Sequence, residues 1–189
     1  LSIEYNPQTD KSTPVILSNH SYFNQAGFDT PEINDHILQI NATYYTENNE
    51  YSLPTGIIRK TAGTPLDFVE PKKIGNDINS FPVDKGYNHN FILESRESRA
   101  MIVAAHLSDP GSGRTLNVYT DQPAIQLYTP NSWDGSVLGS QGKYYQMHGA
   151  VALETQAYPD SPNQPSFPNT SLDPGKHYFS TTIYEFGVQ

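Results

Sequence analysis

Two short segments hold the side chains best suited to moving protons. In Val15-Ile16-Leu17-Ser18-Asn19-His20-Ser21-Tyr22-Phe23-Asn24 an apolar strand-like stretch runs into a polar and aromatic cluster. With a strand's period of two, His20 shares a face with Ser18 and Tyr22. Imidazole gives and takes protons near neutral pH, so a histidine flanked by Tyr and Asn suits general acid–base work. The same surroundings suit a histidine hydrogen-bonded into the structure for support. In Ala150-Val151-Ala152-Leu153-Glu154-Thr155-Gln156, alternation puts Val151, Leu153 and Thr155 on one face and Ala150, Ala152, Glu154 and Gln156 on the other. A carboxylate among small neighbours fits a cleft floor, where a ligand supplies the missing bulk. A solvent-facing sheet surface fits equally well.

Other chemistries have little footing. The histidines are His20, His36, His89, His106, His148 and His177, and none forms a His-x-His, His-x-x-x-His or His-Glu-x-x-His pattern. No metal site is expected from spacing. There is no Gly-x-Ser-x-Gly elbow, phosphate-cradling glycine loop or dinucleotide fingerprint, so no cofactor is expected. With no cysteine, disulfides and thiolate nucleophiles are excluded. A net charge of −9 repels nucleic-acid phosphates and anionic lipid, and no apolar run approaches membrane-spanning length; neither partner is expected. The sequons at Asn19, Asn41 and Asn169 are about as many as chance supplies, and a cytoplasmic or a secreted location stays open.

The elements that must position these groups are strands. No long stretch places apolar residues at i, i+3, i+4 and i+7, and 15 Pro and 13 Gly interrupt the chain. Leu38, Ile40, Ala42 and Tyr44 alternate with polar residues and read as one strand. Met101, Val103, Ala105 and Leu107 alternate likewise, pass through Asp109-Pro110-Gly111-Ser112-Gly113 and continue in Leu116 to Tyr119, which predicts a hairpin. Further strands are expected over 124–129, 149–156 and 178–186. Short strands with Gly/Pro turns and no helical spacers predict an all-β antiparallel sandwich or barrel. The stretch 158–175 holds five Pro, and because strand-like sequence resumes after it, a long ordered loop within the domain is expected there.

Several blocks then resemble the aldose 1-epimerase (galactose mutarotase) family. They are Asn19-His20-Ser21-Tyr22-Phe23-Asn24 with Asp10 to Pro14 upstream, and Pro54-Thr55-Gly56 followed by Gly63 to Phe68. Next come Gly86-Tyr87-Asn88-His89-Asn90-Phe91, then Gln126-Leu127-Tyr128-Thr129 with Asp134-Gly135. Leu153-Glu154-Thr155-Gln156 with Tyr158 to Asn163, and Pro174-Gly175 with Thr182 to Phe186, complete a collinear match over essentially the whole chain.

The resemblance implies the family's antiparallel β supersandwich, incomplete in this chain, and cofactor-free interconversion of the α and β anomers of a hexose such as galactose or glucose. It implies Glu154 as base and His20 as acid, facing one cleft from separate strands a pyranose ring apart, with Tyr22, Asn88 and Gln126 contacting sugar. Asn88 stands where the family usually has Asp. The family's N-terminal half has no counterpart here, so residues 1–189 are expected to be the C-terminal part of one domain. A second polypeptide or segment is expected to supply the rest, and this chain to hold half a core. Two rivals remain: a non-catalytic carbohydrate-binding member of the same fold, and a glycosidase, which needs a second carboxylate for which Asp160 is the nearby candidate.

Overall fold

The structure is a computed structural model describing residues 1–94 and 100–189. Among the described residues sixteen strands in chain order build it, and two antiparallel six-stranded sheets dominate. The first eight strands are β1 (Ser2–Tyr5), β2 (Thr13–Pro14), β3 (Tyr22–Phe23), β4 (Ile37–Ile40), β5 (Tyr44–Asn48), β6 (Pro54–Lys60), β7 (Lys72–Lys73) and β8 (Asn88–Ile92). The rest are β9 (Ile102–Ser108), β10 (Arg114–Thr120), β11 (Ala124–Tyr128), β12 (Asp134–Leu138), β13 (Tyr144–Gln146), β14 (Val151–Gln156), β15 (Ser171–Leu172) and β16 (Ser180–Val188). The first sheet runs β1-β16-β10-β9-β4-β7 and the second β3-β14-β11-β8-β5-β6. Two small ribbons pair β12 with β13 and β15 with β2.

The expected hairpin is β9–β10, with a register shift at Val118/Tyr119. The single strand expected over Leu38 to Tyr44 is instead two strands in different sheets. Asn41 N–H donates to Ala104 O and Ala42 N–H turns back to Ile40 O, which carries the chain from β4 in one layer to β5 in the other. Alternation survives because Leu38, Ile40 and Ala42 are all buried between the layers.

The layers are joined by one contiguous apolar core. Leu38, Ile40, Leu107, Leu116, Val118 and Tyr184 come from the first sheet, and Phe91, Ile125, Leu127, Val151 and Leu153 from the second. Both sheets of this chain contribute to that core. The side chain of Tyr184 also reaches between the layers, its hydroxyl donating to Leu153 O at 2.9 Å, and Thr155 and Thr182 share a hydrogen bond. These polar links fix β14 against the first sheet.

The stretch 158–175 is an ordered strap. Tyr158 and Phe167 pack edge to face and cover Ala124 and Ile92 on the outer face of the second sheet. Gln164 Nε2 donates to Pro54 O and Ser166 Oγ to Gly56 O, tying the strap to β6. Its far end pairs with β2, and Val15 N–H donates to Thr170 O, so the strap also holds the segment that leads to His20.

Candidate functional site

The site forms on the outer face of the second sheet, and register explains its membership. Across β8, β11 and β14, Asn90, Gln126 and Glu154 lie opposite one another; one step along are Asn88, Tyr128 and Ala152, with Tyr22 of β3 beside Ala152. All of these have even numbers in step, so the two-residue period sends their side chains away from the core. The odd-numbered neighbours Phe91, Ile125, Leu127, Val151 and Leu153 are fully buried.

His20 arrives differently. A strand was expected to lead to it, yet Val15 to Ser21 is irregular, because it crosses from pairing with β15 to pairing with β14. An Asx turn, Ser21 N–H donating to Asn19 Oδ1 at 3.1 Å, shapes the bend. The imidazole packs on Tyr22 at 4.9 Å between ring centroids and on Tyr128 at 5.6 Å. Its Nε2 stands 3.3 Å from Glu154 Oε1. The expected separation of a pyranose ring is thus replaced by direct contact, since the irregular approach lets the imidazole lean onto the carboxylate. The two partners differ in setting: the His20 side chain is 48% exposed and that of Glu154 13%.

Burial pushes the Glu154 carboxyl up from its ordinary range, and His20 opposes that shift. Tyr22 is raised as well, by burial first and then by Tyr128 and Glu154, so it stays a neutral phenol. A desolvated carboxyl touching an imidazole is an arrangement suited to passing protons.

Gln126 and Asn88 form a polar chain. Gln126 Nε2 donates to Asn88 Oδ1 at 2.8 Å, and Asn88 Nδ2 reaches Asp84 Oδ1 at 3.4 Å. Asp84 thereby places a carboxylate beside Asn88, which stands where the family usually has Asp; nothing in the local sequence links residues four apart to this role. Gln126 Oε1 and both amide atoms of Asn90 are buried without a hydrogen-bond partner. Such atoms cost about 1–3 kcal/mol each when left unmatched, which is the usual sign of a surface made for something polar. Asn90 and Tyr128 were missed by sequence reasoning, although the parity that selected Glu154 also selects them.

Four of the other five histidines have structural partners. His36 Nε2 accepts from Gln25 N–H, His89 Nδ1 accepts from Asn88 N–H, His106 pairs with Asn117 and His148 with Lys85 O. Asp160, the second carboxylate a glycosidase would need, caps its own loop through Asn163 and Gln164, and those bonds hold its carboxyl below the usual range. A general acid needs the opposite shift. Among the described residues no cluster of three His, Cys, Asp or Glu is placed to hold a metal ion, and no helix is long and apolar enough to cross a membrane.

Comparison with known proteins places the fold and the sequence in a family. The family model for aldose 1-epimerase matches residues 1–185. Mouse galactose mutarotase is 43% identical over 188 residues, covering 100% of this chain and 54% of the relative. Aldose 1-epimerase of Escherichia coli strain K12 is 36% identical over 194 residues, covering 98% and 54%. Among solved structures, an aldose epimerase homologue from C. elegans superposes with a TM-score of 0.87 at 26% identity, covering 99% of this chain and 55% of that one. Galactose 1-epimerase from Lactobacillus acidophilus gives 0.81 at 28% identity, covering 99% and 53%. The chain spans about half the length of the curated relatives it matches. With 185 residues inside the family model and the antiparallel double sheet of its solved relatives, the chain belongs to the aldose 1-epimerase family.

Proposed function

We propose that the protein to which this chain belongs interconverts the α and β anomers of a free hexose, galactose or glucose, with Glu154 as base and His20 as acid. The observation that carries the reading is the contact of a desolvated carboxylate with a half-exposed imidazole on a polar sheet face. Residues 1–189 are taken as the C-terminal part of one mutarotase-like domain, completed by a further segment or polypeptide.

In this reading the sugar enters between the pair. The imidazole turns aside, because it is the exposed partner on the irregular segment, while Glu154 stays fixed on β14. Glu154 takes the proton of the C1 hydroxyl as His20 gives one to the ring oxygen. The C1–O5 bond breaks, its electron pair stays with O5, and the C1 oxygen becomes the aldehyde carbonyl. Rotation about C1–C2 presents the other carbonyl face to the C5 hydroxyl. The ring recloses with the proton roles reversed, so both groups return to their starting states. Gln126 Oε1 is free to accept a sugar hydroxyl, and Asn88, steadied by Asp84, orients the Gln126 amide. Tyr22 gives the ring a neutral wall.

Polarimetry of a pure α anomer tests the reading. The complete protein should speed equilibration well beyond the spontaneous rate, and Glu154→Gln, which keeps shape but removes basicity, should lose roughly 10²–10⁴-fold. Binding of the sugar without any acceleration would identify a carbohydrate-binding protein instead.

A further inference from the structure

The Asn88–Gln126 pair has a polarity, and a carboxylate outside the proton-transfer pair sets it. An amide side chain has nearly the same shape in either orientation, so its neighbours decide which end is oxygen. An ionised carboxylate only accepts. The end of Asn88 that faces Asp84 Oδ1 at 3.4 Å is therefore Nδ2, which turns Asn88 Oδ1 toward Gln126. That oxygen accepts from Gln126 Nε2 at 2.8 Å, and Gln126 Oε1 is left buried with no partner among the described residues. One carboxylate thus fixes two amides in series. An Asp at position 88, as the family usually has, would accept from Gln126 by itself. Asn88 alone allows either orientation, and Asp84 removes the choice.

Strained backbone surrounds this half-buried carboxylate. Among the described residues four that are not glycine adopt the left-handed region. Three of them converge on Asp84: Ser52, Lys85 and His148, with φ of 59°, 60° and 58°. Ser52 lies in the turn between β5 and β6, where its N–H donates to Asn49 O and its hydroxyl to Asp84 Oδ1. Lys85 follows Asp84; its N–H donates to Phe81 O at 2.7 Å and its carbonyl accepts from His148 Nε2 at 2.8 Å. One residue on, a Cβ at Gly86 would fall 2.1 Å from Asn131 Oδ1, so the loop is pressed onto the connection after β11. Left-handed backbone outside glycine is costly, persists only where its surroundings over-determine it, and clusters at functional positions.

Resting on the function proposed above, we infer that Asp84 is a positioning residue that sets the polarity of the Asn88–Gln126 relay, so that Gln126 meets the sugar with an acceptor and selects one hydroxyl for its ability to donate. Asp84 touches neither the sugar nor a reacting atom. It acts through two amides, and Ser52 holds it in place. The consequence is a specificity for a donor at one position of the hexose: a group of similar size that only accepts meets Gln126 Oε1 lone pair against lone pair and leaves that buried oxygen unmatched.

The test uses the complete protein with galactose and its monofluoro-deoxy derivatives at C2, C3, C4 and C6. Fluorine accepts weakly and never donates, so the derivative lacking the hydroxyl that faces Gln126 should bind about tenfold more weakly than galactose by calorimetry. Asp84→Asn keeps the shape but lets both amides turn over, and should narrow that preference to about twofold. Adding Asn88→Asp returns an accepting carboxylate beside Gln126 and should restore the preference. Ser52→Ala frees the Asp84 carboxylate and should narrow the same preference to a smaller extent; it stands in if Asp84→Asn does not fold. A wild-type protein that binds all five sugars alike, or none of them, would overturn the inference. So would an unchanged preference in Asp84→Asn, or in Ser52→Ala where it stands in. A preference lost in Asp84→Asn that Asn88→Asp fails to return would also overturn it, since that pattern belongs to a loop merely loosened. Should the preference follow the expected pattern while polarimetry shows no anomer interconverted, the relay stands and the mutarotase reading falls. Anomer interconversion with no change of preference in the variants leaves that reading standing and sinks the relay.

Discussion

The two faces of the second sheet are made by the same strands and behave as opposites. On the inner face Phe91, Ile125, Leu127, Val151 and Leu153 are fully buried against the first sheet. On the outer face Asn88, Asn90, Gln126, Tyr128 and Glu154 follow them residue for residue, with three buried polar atoms unmatched and one carboxyl pushed away from its charged form. Neighbours in sequence thus do different work: odd positions supply stability, and even positions are held in a costly arrangement that the inner face sustains. A site whose groups are poorly satisfied by their own protein is expected where a ligand completes them.

That contrast can be broken most severely through the proton-transfer pair. His20→Asn should cost roughly 10²–10⁴ in rate, as Glu154→Gln does, because each removes one half of a single coupled transfer. The double variant should be far less than multiplicatively worse, since the second deletion removes a partner already idle. Multiplicative losses by polarimetry would mean that the two groups act in separate steps.

Acid sharpens the contrast next. Burial holds His89, on the inner face, down to about 4, with Asp84 only partly opposing. The unfolded imidazole takes up a proton below about 6.5, whereas the folded one resists until about 4, so stability is lost as pH falls through that window, by up to about 3 kcal/mol. His36, also lowered by burial, adds in the same direction. Glu154 has the opposite sign: its raised carboxyl makes the folded state take a proton first, so its contribution is stabilising toward acid and is lost as pH rises. Urea midpoints at pH 7 and 4.5 should show the net acid loss; a flat profile would remove His89 as its source.

The smallest expected effect is at Asn88. Asn88→Asp sets a second carboxylate beside Asp84 and takes away the donor between them. The fold should persist, and the Michaelis constant for the hexose should shift by several-fold, the size of one altered hydrogen bond. An unchanged constant for both galactose and glucose would leave Asn88 as a turn-side support for Gln126.

Local alternation made much of this legible. The hairpin β9–β10 and the face assignment of 150–156 follow from period two, and the motif blocks single out His20 and Glu154 as candidates. Other features depend on partners far away in the chain. The crossing at Asn41–Thr43 needs Ala104 as its acceptor, and the bend before His20 exists because its flanks pair with two different strands. The contact of His20 with Glu154 spans most of the chain, so only folding could replace the expected gap with a 3.3 Å approach. Tyr145 lies on a two-stranded ribbon and Trp133 just before it, and their packing toward Tyr22 beside His20 appears only in the fold.

The most direct measurement sets two consecutive residues against each other. Leu153→Ala and Glu154→Gln are made in the complete protein, and each is followed by denaturant unfolding and by polarimetric decay of a pure anomer. Leu153→Ala should lose about 2–5 kcal/mol of stability while its folded fraction keeps a near-normal rate. Glu154→Gln should lose 10²–10⁴ in rate and unfold at the same or a higher denaturant concentration near pH 7, because a desolvated charge has been removed. If Glu154→Gln instead unfolds easily and its folded molecules turn over sugar at the wild-type rate, the division between the two faces is wrong and Glu154 is not the base.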